Sequence, residues 1–333
     1  MSMDLGIDLG TSSVKIYMPK HGIVLNEPAM VIVNKIDGQI VAIGNEANDM
    51  SGRTPEGVQA VRPIRNGVIT NFNLTVSMLK HFIKKTVKNK FSKIRAVICI
   101  PSGITEVEKR AVEEAVKTAG AKDVRMLEEP LAAAIGAGLP IREPLGSMVV
   151  DIGAGTTEVA VISLGGIVIS NSIRVAGDAF DLAIVQYVKK KYNLMIGEVT
   201  AEKIKIGIGS ENGSGLGEVW EMKGRDLVQG MPKNATIKTD EIRDALSEAV
   251  MEIVDVVKLT LEQTPPELAS DIMETGIVLT GGGAMLKGLG RIINMETAIP
   301  VFIAESPMEC VAIGAGKTLE NFSIMKNAIN ILG

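Results

Sequence analysis

The sequence predicts an α/β protein made of two related lobes facing a cleft, and three observations predict it. Apolar strands alternate with amphipathic helices along the chain, the pattern of sheets covered by helices. A strand ending in Asp and a glycine turn occurs near the start, Leu5-Gly6-Ile7-Asp8-Leu9-Gly10-Thr11. It returns about 143 residues later as Met148-Val149-Val150-Asp151-Ile152-Gly153-Ala154-Gly155. Each turn is followed by a second strand, Val14 to Met18 in one case and Thr156 to Ser163 in the other. A strand-turn-strand unit thus recurs, as duplication of one ancestral domain would leave it.

Between these units the helices carry their own signals. Thr105 and Glu108 have capping-box spacing after a Pro-Ser-Gly turn, and Val112, Ala115, Val116 and Ala119 form one stripe, which predicts a helix from Thr105 that ends at Gly120. In the returning strand near 160, Val159 and Val161 alternate with Ala160 and Ile162. Residues 207–217 are glycine-rich and polar, predicting a mobile loop. A long helix runs from Thr239 to about Thr264, its apolar stripe being Ile242, Leu246, Val250, Ile253, Val257 and Leu261, and Pro265-Pro266 stops it. The strand Ile277-Val278-Leu279 leads into Thr280-Gly281-Gly282-Gly283-Ala284, which opens a further helix.

Composition narrows the function classes. With 333 residues, 46% of them hydrophobic, the chain can bury about two cores. A net charge of −4 gives no global attraction to nucleic acid, and 3% aromatic residues offer no stacking platform for single strands. Cys99 and Cys310 sit in apolar runs and read as buried, reduced thiols; with two His far from them, no zinc-ligand spacing exists. No stretch approaches the roughly 20 apolar residues of a spanning helix, and a strand begins within a few residues of the start, so a cytoplasmic protein is expected.

The glycine turns carry the chemistry. Glycine at a bend lets backbone N–H groups approach a phosphate, and the hydroxyls of Thr11, Ser12 and Ser13 add donors beside Gly10. One such turn is an ordinary hairpin; two in corresponding places can clamp a phosphate chain from both sides, the second through Gly153, Ala154, Gly155, Thr156 and Thr157, with Glu158 next along the strand. Asp8 and Asp151 stand at the strand ends, where they would gather, through water, around a Mg2+ ion bridging phosphates. Lys15 reaches the same phosphates if the second strand runs back along the cleft. Three consecutive glycines, Gly281, Gly282 and Gly283, before Ala284 predict a place where a flat adenine ring lies against backbone.

These motifs resemble the two phosphate motifs and the adenosine motif of the superfamily of actin, heat-shock chaperones and sugar kinases. The intervening segments resemble the MreB-type bacterial actins, over essentially the whole chain. They include Gly22-Ile23-Val24-Leu25-Asn26-Glu27-Pro28, Arg62-Pro63 with Asn66 at an Asp-like position before Gly67, Glu128-Glu129-Pro130-Leu131 and Thr264-Pro265-Pro266-Glu267-Leu268. The resemblance implies an actin-like fold of duplicated RNase H-like domains, in four subdomains around a nucleotide cleft. Its first lobe would cover residues 1–145, with an insertion at about 33–65, and be completed by about 313–333. The second would cover 146–312 with an insertion at about 179–244. By the same resemblance Glu129 orients the attacking water with Thr156 as its partner, Glu202 and Lys205 contact the adenosine, and Gly177 and Asp178 approach the nucleotide. The implied activity is ATP hydrolysis, with ATP and Mg2+ as cofactors, coupled to assembly of the chain with itself into filaments. The implied partners are the membrane, the cell-wall elongation machinery and membrane-embedded shape proteins, and the implied outcome is directed wall elongation and cell shape.

The chain also departs from the family. Only Met1-Ser2-Met3 precede Asp4, so the amphipathic N-terminal segment common in the family is expected to be missing. The family's apolar membrane loop maps to Lys88-Asn89-Lys90-Phe91-Ser92-Lys93, where Phe91 is the single large apolar residue. Lys84, Lys85, Lys88, Lys90, Lys93 and Arg95 crowd around it, which predicts peripheral docking on an anionic leaflet with Phe91 as a wedge. Residues 322–332 are apolar enough to contribute, though packing on their own lobe is the first expectation. Ala154 stands where the family has glycine, adding a methyl beside the phosphates, and Lys15 is closer to actin and the sugar kinases. A metabolic kinase therefore stays open as the alternative from another class, although no acceptor pocket is evident. A chaperone ATPase would need a peptide-binding domain after the two lobes.

Overall fold

In the computed structural model, residues 2–89, 92–209 and 219–320 are described. The first half runs β1 (Ser2–Leu9), β2 (Ser13–Met18), β3 (Gly22–Pro28), β4 (Val31–Asn34), β5 (Ile40–Ile43), α1 (Asn45–Met50), β6 (Val58–Val61), β7 (Ile64–Arg65), β8 (Val68–Ile69), α2 (Phe72–Thr86), β9 (Lys93–Ile100), α3 (Glu106–Thr118), β10 (Ala121–Glu128) and α4 (Glu129–Ala137). The second runs β11 (Ser147–Ile152), β12 (Thr157–Ser163), β13 (Gly166–Ile173), α5 (Gly177–Tyr192), β14 (Leu194–Met195), α6 (Glu198–Gly209), β15 (Val219–Asp226), β16 (Pro232–Lys238), α7 (Thr239–Gln263), α8 (Pro266–Thr275), β17 (Ile277–Thr280), a 3-10 turn Gly282–Met285, α9 (Leu289–Thr297), β18 (Val301–Ile303) and α10 (Cys310–Glu320).

Two five-stranded sheets carry the duplication. One has the order β3-β2-β1-β9-β10, the other β13-β12-β11-β17-β18. In both, the first three strands form an antiparallel meander, and the strand that opens the meander pairs in parallel with the fourth, which pairs in parallel with the fifth. The central strand β11 is buried along its whole length, as expected of a strand covered on both faces. Smaller sheets, β5-β4-β6 and β14-β15-β16, sit one in each half.

Each large sheet has its own core, around Leu5, Ile16, Phe82 and Ile98 in one half and Val150, Phe180, Ile253 and Leu279 in the other. A third apolar cluster lies between the sheets: Val97 and Cys99 from β9, Leu127 from β10, Val149 from β11, Ala160 and Ile162 from β12, with α4 and α10 packed among them. The chain passes from the first sheet to the second through α4, and from the second back to the first through α10. Backbone contact is unusually close there. A Cβ on Gly136 would lie 1.9 Å from the Cys310 carbonyl oxygen, and one on Gly314 would lie 1.8 Å from that of Ala132.

The helix signals in the sequence hold. Thr105 and Glu108 form the reciprocal capping box, and α7 ends one residue before Thr264. The first three residues of the loop expected at 207–217 are helical instead. Helix α6 continues through Gly209, because Gly207 lets the Trp220 ring come within 2.2 Å of where a Cβ would stand. Residues 210–217 of that stretch, Lys90, Phe91 and the apolar segment 322–332 lie outside the described residues.

Candidate functional site

The two Asp-Gly hairpins face one another across a cavity of about 450 Å³. They are built alike: the Gly10 N–H donates to the Ser13 carbonyl at 3.1 Å, and the Gly153 N–H to the Thr156 carbonyl at 2.9 Å. Asp8 lies opposite Lys15 in the β1/β2 register, and Asp151 opposite Glu158 in the equivalent β11/β12 register. Gly10, Thr11, Ser12 and Ser13 line one side, and Gly153, Ala154, Gly155 and Thr156 the other. Gly155 is pressed against the first half: a Cβ there would lie 2.7 Å from Thr11 Oγ1 and 2.8 Å from Asn66 Cα.

The floor is crowded with buried charge. The Lys15 ammonium is 3.1 Å from Asp8 Oδ2 and 3.1 Å from Ser13 Oγ, with 7% of the residue exposed. Burial alone would lower its pKa, but the carboxylates, Asp8 foremost, raise it above the ordinary value, so it is a fixed cation. Asp151 accepts from Thr280 Oγ1 at 2.7 Å, and burial lifts its pKa to about 6. Glu129, the first residue of α4, is 9% exposed; burial and then Glu158, Asp8 and Asp151 raise it well above the carboxylate range. Such a concentration of carboxylates, opposed mainly by Lys15, favours a second cation. Among the described residues no group of three or more His, Cys, Asp or Glu could hold a metal ion directly. Asp8 and Asp151 are the residues that would hold a Mg2+ ion there, through water, and the ion would supply positive charge against these carboxylates.

Beyond the hairpins, the backbone N–H groups of Gly177 and Asp178 donate to the Gly153 and Ala154 carbonyls at 3.1 and 2.8 Å, seating α5 against the second turn. Lys205 and Glu202 both line the cavity. Lys205 Nζ meets Asp181 at 2.8 Å and the Gly177 carbonyl at 3.0 Å, because α6 packs against α5. Burial raises Asp181 to about 6 in spite of that lysine.

Four expected contact residues stand off the cavity wall. Asp178 turns outward and pairs with Arg62 of the first half at 3.0 Å, bridging the halves. Thr157 is fully buried and donates to the Val175 carbonyl at 2.6 Å. Glu158, also fully buried, accepts from the Ser102 N–H and the Ser172 hydroxyl, and burial pushes it up to about 7. Ala284 packs into the second core.

The triple glycine divides by role. A Cβ on Gly281, whose φ is 78°, would lie 2.3 Å from the Ile152 carbonyl oxygen, and one on Gly283 would lie 2.2 Å from Ile152 Cγ2. Only Gly282 has open space before it. Two of the three glycines therefore serve the close approach of the 3-10 turn to β11. Gly281→Ala is expected to destabilise the fold by about 2 kcal/mol or more through left-handed strain and the carbonyl clash. Gly282→Ala should leave the melting temperature nearly unchanged while weakening ligand binding. Thermal melts of the two variants check the contrast.

Sequence reading missed the apolar wall: Phe180, Ile206, Met285, Leu286, Pro307, Met308 and Val311. Only Met285-Leu286, following the glycines, carried a local signal. It also missed Gly67, whose N–H donates to Thr11 Oγ1 at 3.2 Å. The signal there was Asn66-Gly67 between short strands, a two-residue hairpin with φ of 49° and 73°.

The basic cluster suggested as a membrane contact is partly committed elsewhere. Lys85 pairs with Glu27, and Arg95 makes a bidentate pair with Asp4. Lys88 and Lys93 are exposed.

Two equivalent sheets, hairpin facing hairpin, with α4 and α10 crossing between them, define an actin-like protein. A family model described as MreB/Mbl protein matches residues 2–327, and the chain belongs to that family. It is 52% identical over 326 residues to the cell shape-determining protein MreB of Escherichia coli (strain K12), covering 96% of this chain and 94% of that one. To the cell shape-determining protein Mbl of Bacillus subtilis (strain 168) it is 50% identical over 319 residues, 96% of each. The crystal structure of MreB5 of Spiroplasma citri bound to AMPPNP superposes with a TM-score of 0.92 at 38% identity over 99% of each chain. The MamK double helical filament shares the fold, with a TM-score of 0.82 at 21% identity, covering 96% of this chain and 99% of that one.

Proposed function

We propose that this chain binds and hydrolyses ATP in the cavity between the hairpins, and that nucleotide state governs its assembly into filaments that associate with the membrane and direct wall elongation and cell shape. The observation that carries the reading is the pair of equivalent hairpins facing each other, with Lys15 beneath one and Glu129 beside both. Spiroplasma citri MreB5, its likeness in fold and sequence, is known bound to AMPPNP and to ADP. The metabolic-kinase alternative loses its footing with membership of a family whose named relatives determine cell shape.

Hairpin N–H groups of both lobes and the hydroxyls of Thr11, Ser12 and Ser13 hold the phosphates, and Lys15 adds a fixed positive charge. Glu202, Lys205, Gly282 and the apolar wall at Met285, Leu286 and Met308 hold the nucleoside. A Mg2+ ion, near Asp8 and Asp151, would neutralise charge on the phosphates and lower the cost of ionising Glu129. Glu129 accepts a hydrogen bond from a water and aims it at the terminal phosphorus, and the Thr156 hydroxyl fixes the same water. Because the two phosphate grips belong to different lobes, loss of the terminal phosphate weakens what draws the lobes together. That is a direct route from chemistry to the shape that assembles.

Membrane association rests on exposed Lys84, Lys88 and Lys93, with Lys90 and Phe91 in the adjoining undescribed pair, each basic group contributing on the order of 1 kcal/mol near an anionic leaflet. No helix among the described residues is long and apolar enough to cross a membrane. One experiment addresses the whole reading: phosphate release and sedimentation with ATP and Mg2+, with a chelator, and with anionic or neutral vesicles. Hydrolysis and pelleting that both fall on chelation, and vesicle binding that needs anionic lipid and weakens with salt, are expected. Absence of ATP binding would overturn the enzymatic reading, and lipid binding indifferent to charge would overturn the membrane reading.

A further inference from the structure

The two lobes share one strand arrangement but differ in the charge at a buried position of the second meander strand. The row Asp8, Lys15, Asn26 across β1, β2 and β3 corresponds to Asp151, Glu158, Ser172 across β11, β12 and β13. In the first row the middle residue neutralises its neighbour. In the second it is a carboxylate set beside another carboxylate, in a fully buried place where an unpaired charge is costly.

Both oxygens of Glu158 are engaged. Oε1 accepts from the Ser172 hydroxyl of its own lobe at 2.7 Å. Oε2 accepts from the Ser102 backbone N–H at 3.2 Å, in the loop that follows β9 of the other lobe. The Ser102 hydroxyl in turn donates to Glu128 Oε2 at 2.7 Å, and Glu128 is the residue at the N-terminal boundary of α4, directly before Glu129. The same loop is braced from its other side, where a Cβ on Gly67 would lie 2.5 Å from the Pro101 ring. Glu158 does not line the cavity.

We propose that Glu158 is a positioning residue, a clasp between the lobes that holds the 101–103 loop and, through Ser102 and Glu128, sets where Glu129 points. The inference rests on the reading of the cavity as an ATPase site. When the lobes shift, the Ser102 to Glu158 bond is among the first to lengthen, since it runs from one sheet to the other behind the phosphate grips. Glu129 then moves away from its water while the hairpins keep their hold on the nucleotide. The clasp makes hydrolysis, rather than binding, the step that reads lobe closure.

The side-chain chemistry separates this from a merely structural role. Gln at 158 keeps one oxygen to accept from Ser102, and its amide can donate to the Ser172 hydroxyl, so the clasp survives without the charge. Ala removes it. Ser172 is exposed, so Ser172→Ala removes the orienting hydroxyl without disturbing the core.

The test measures kcat and KM for ATP hydrolysis, ATP affinity and thermal melting of the full chain and of Glu158→Ala, Glu158→Gln and Ser172→Ala, at matched polymer fraction. Glu158→Ala is expected to lose about 10- to 100-fold in kcat, the cost of a misplaced catalytic group, with KM and affinity within about threefold. Glu158→Gln should recover most of the rate, and Ser172→Ala should lose about 3- to 10-fold, as one charge-assisted hydrogen bond allows. An unchanged kcat in Glu158→Ala overturns the clasp, as does a Gln variant no better than Ala. Should the Ala variant fail to fold, an unchanged kcat in Ser172→Ala overturns it instead. A wild-type chain that binds no ATP overturns the ATPase reading itself, a different result from wild-type hydrolysis with inert variants.

Discussion

Replacing Glu129 by alanine is expected to slow ATP hydrolysis by about 100-fold or more, the range of a lost general base, while ATP affinity changes by less than about threefold. Phosphate release and nucleotide binding measured on one preparation check this. The asymmetry follows from where affinity and rate arise. On the proposed reading, affinity would come from N–H groups of two hairpins, from Lys15, and from the apolar wall, none of which needs the Glu129 carboxylate. Burial first, and then Glu158, Asp8 and Asp151, disfavour the charged form of that carboxylate, so its removal is not expected to weaken the hold on a nucleotide. In the proposed mechanism its value would appear only when a water must be oriented toward phosphorus. Hydrolysis that persists unchanged in the alanine variant would take Glu129 out of the reaction.

What could be read in advance tracks how local each cause is. The paired hairpins were legible because the turn, the preceding Asp and the following hydroxyls lie within a few residues and occur twice. So were α3 and α7, whose caps and stops are local chemistry. The partner of Lys205 was not legible, since an i, i+3 neighbour on the same helix and a carboxylate on α5 look equally good until the helices pack. Glu158 was grouped with the nucleotide contacts for a similar reason. Strand periodicity places its side chain on the same face as that of Asp151, but not that the 101–103 loop closes over it. Three glycines in a row looked like one requirement, but Gly281 and Gly283 lie against Ile152, whose approach is a tertiary fact.

Gly314→Ala and Gly136→Ala are each expected to destabilise the protein by more than about 3 kcal/mol, beyond the usual range for an overpacked core, whereas Gly197→Ala should change stability by no more than about 0.5 kcal/mol. The added methyl groups would meet backbone carbonyl oxygens at 1.8 and 1.9 Å, while at Gly197 nothing lies within 4 Å. A flexible side chain could swing aside from such a contact; the Ala132 and Cys310 carbonyls cannot, being parts of α4 and α10. The two helices would have to separate, and both are wedged between the sheets, against Val97 and Cys99 on one side and Val149 and Ala160 on the other. Separating them therefore opens the interface between the lobes, and it moves Glu129, which begins α4, relative to Thr156 in the opposite hairpin. Denaturant melts measure the stability loss. Hydrolysis well below the folding threshold measures the rest: a folded variant of either glycine should still lose rate at saturating ATP. Full activity in a Gly314→Ala protein of normal stability would mean that the helices can part without consequence, and that the lobes are not coupled through this seam.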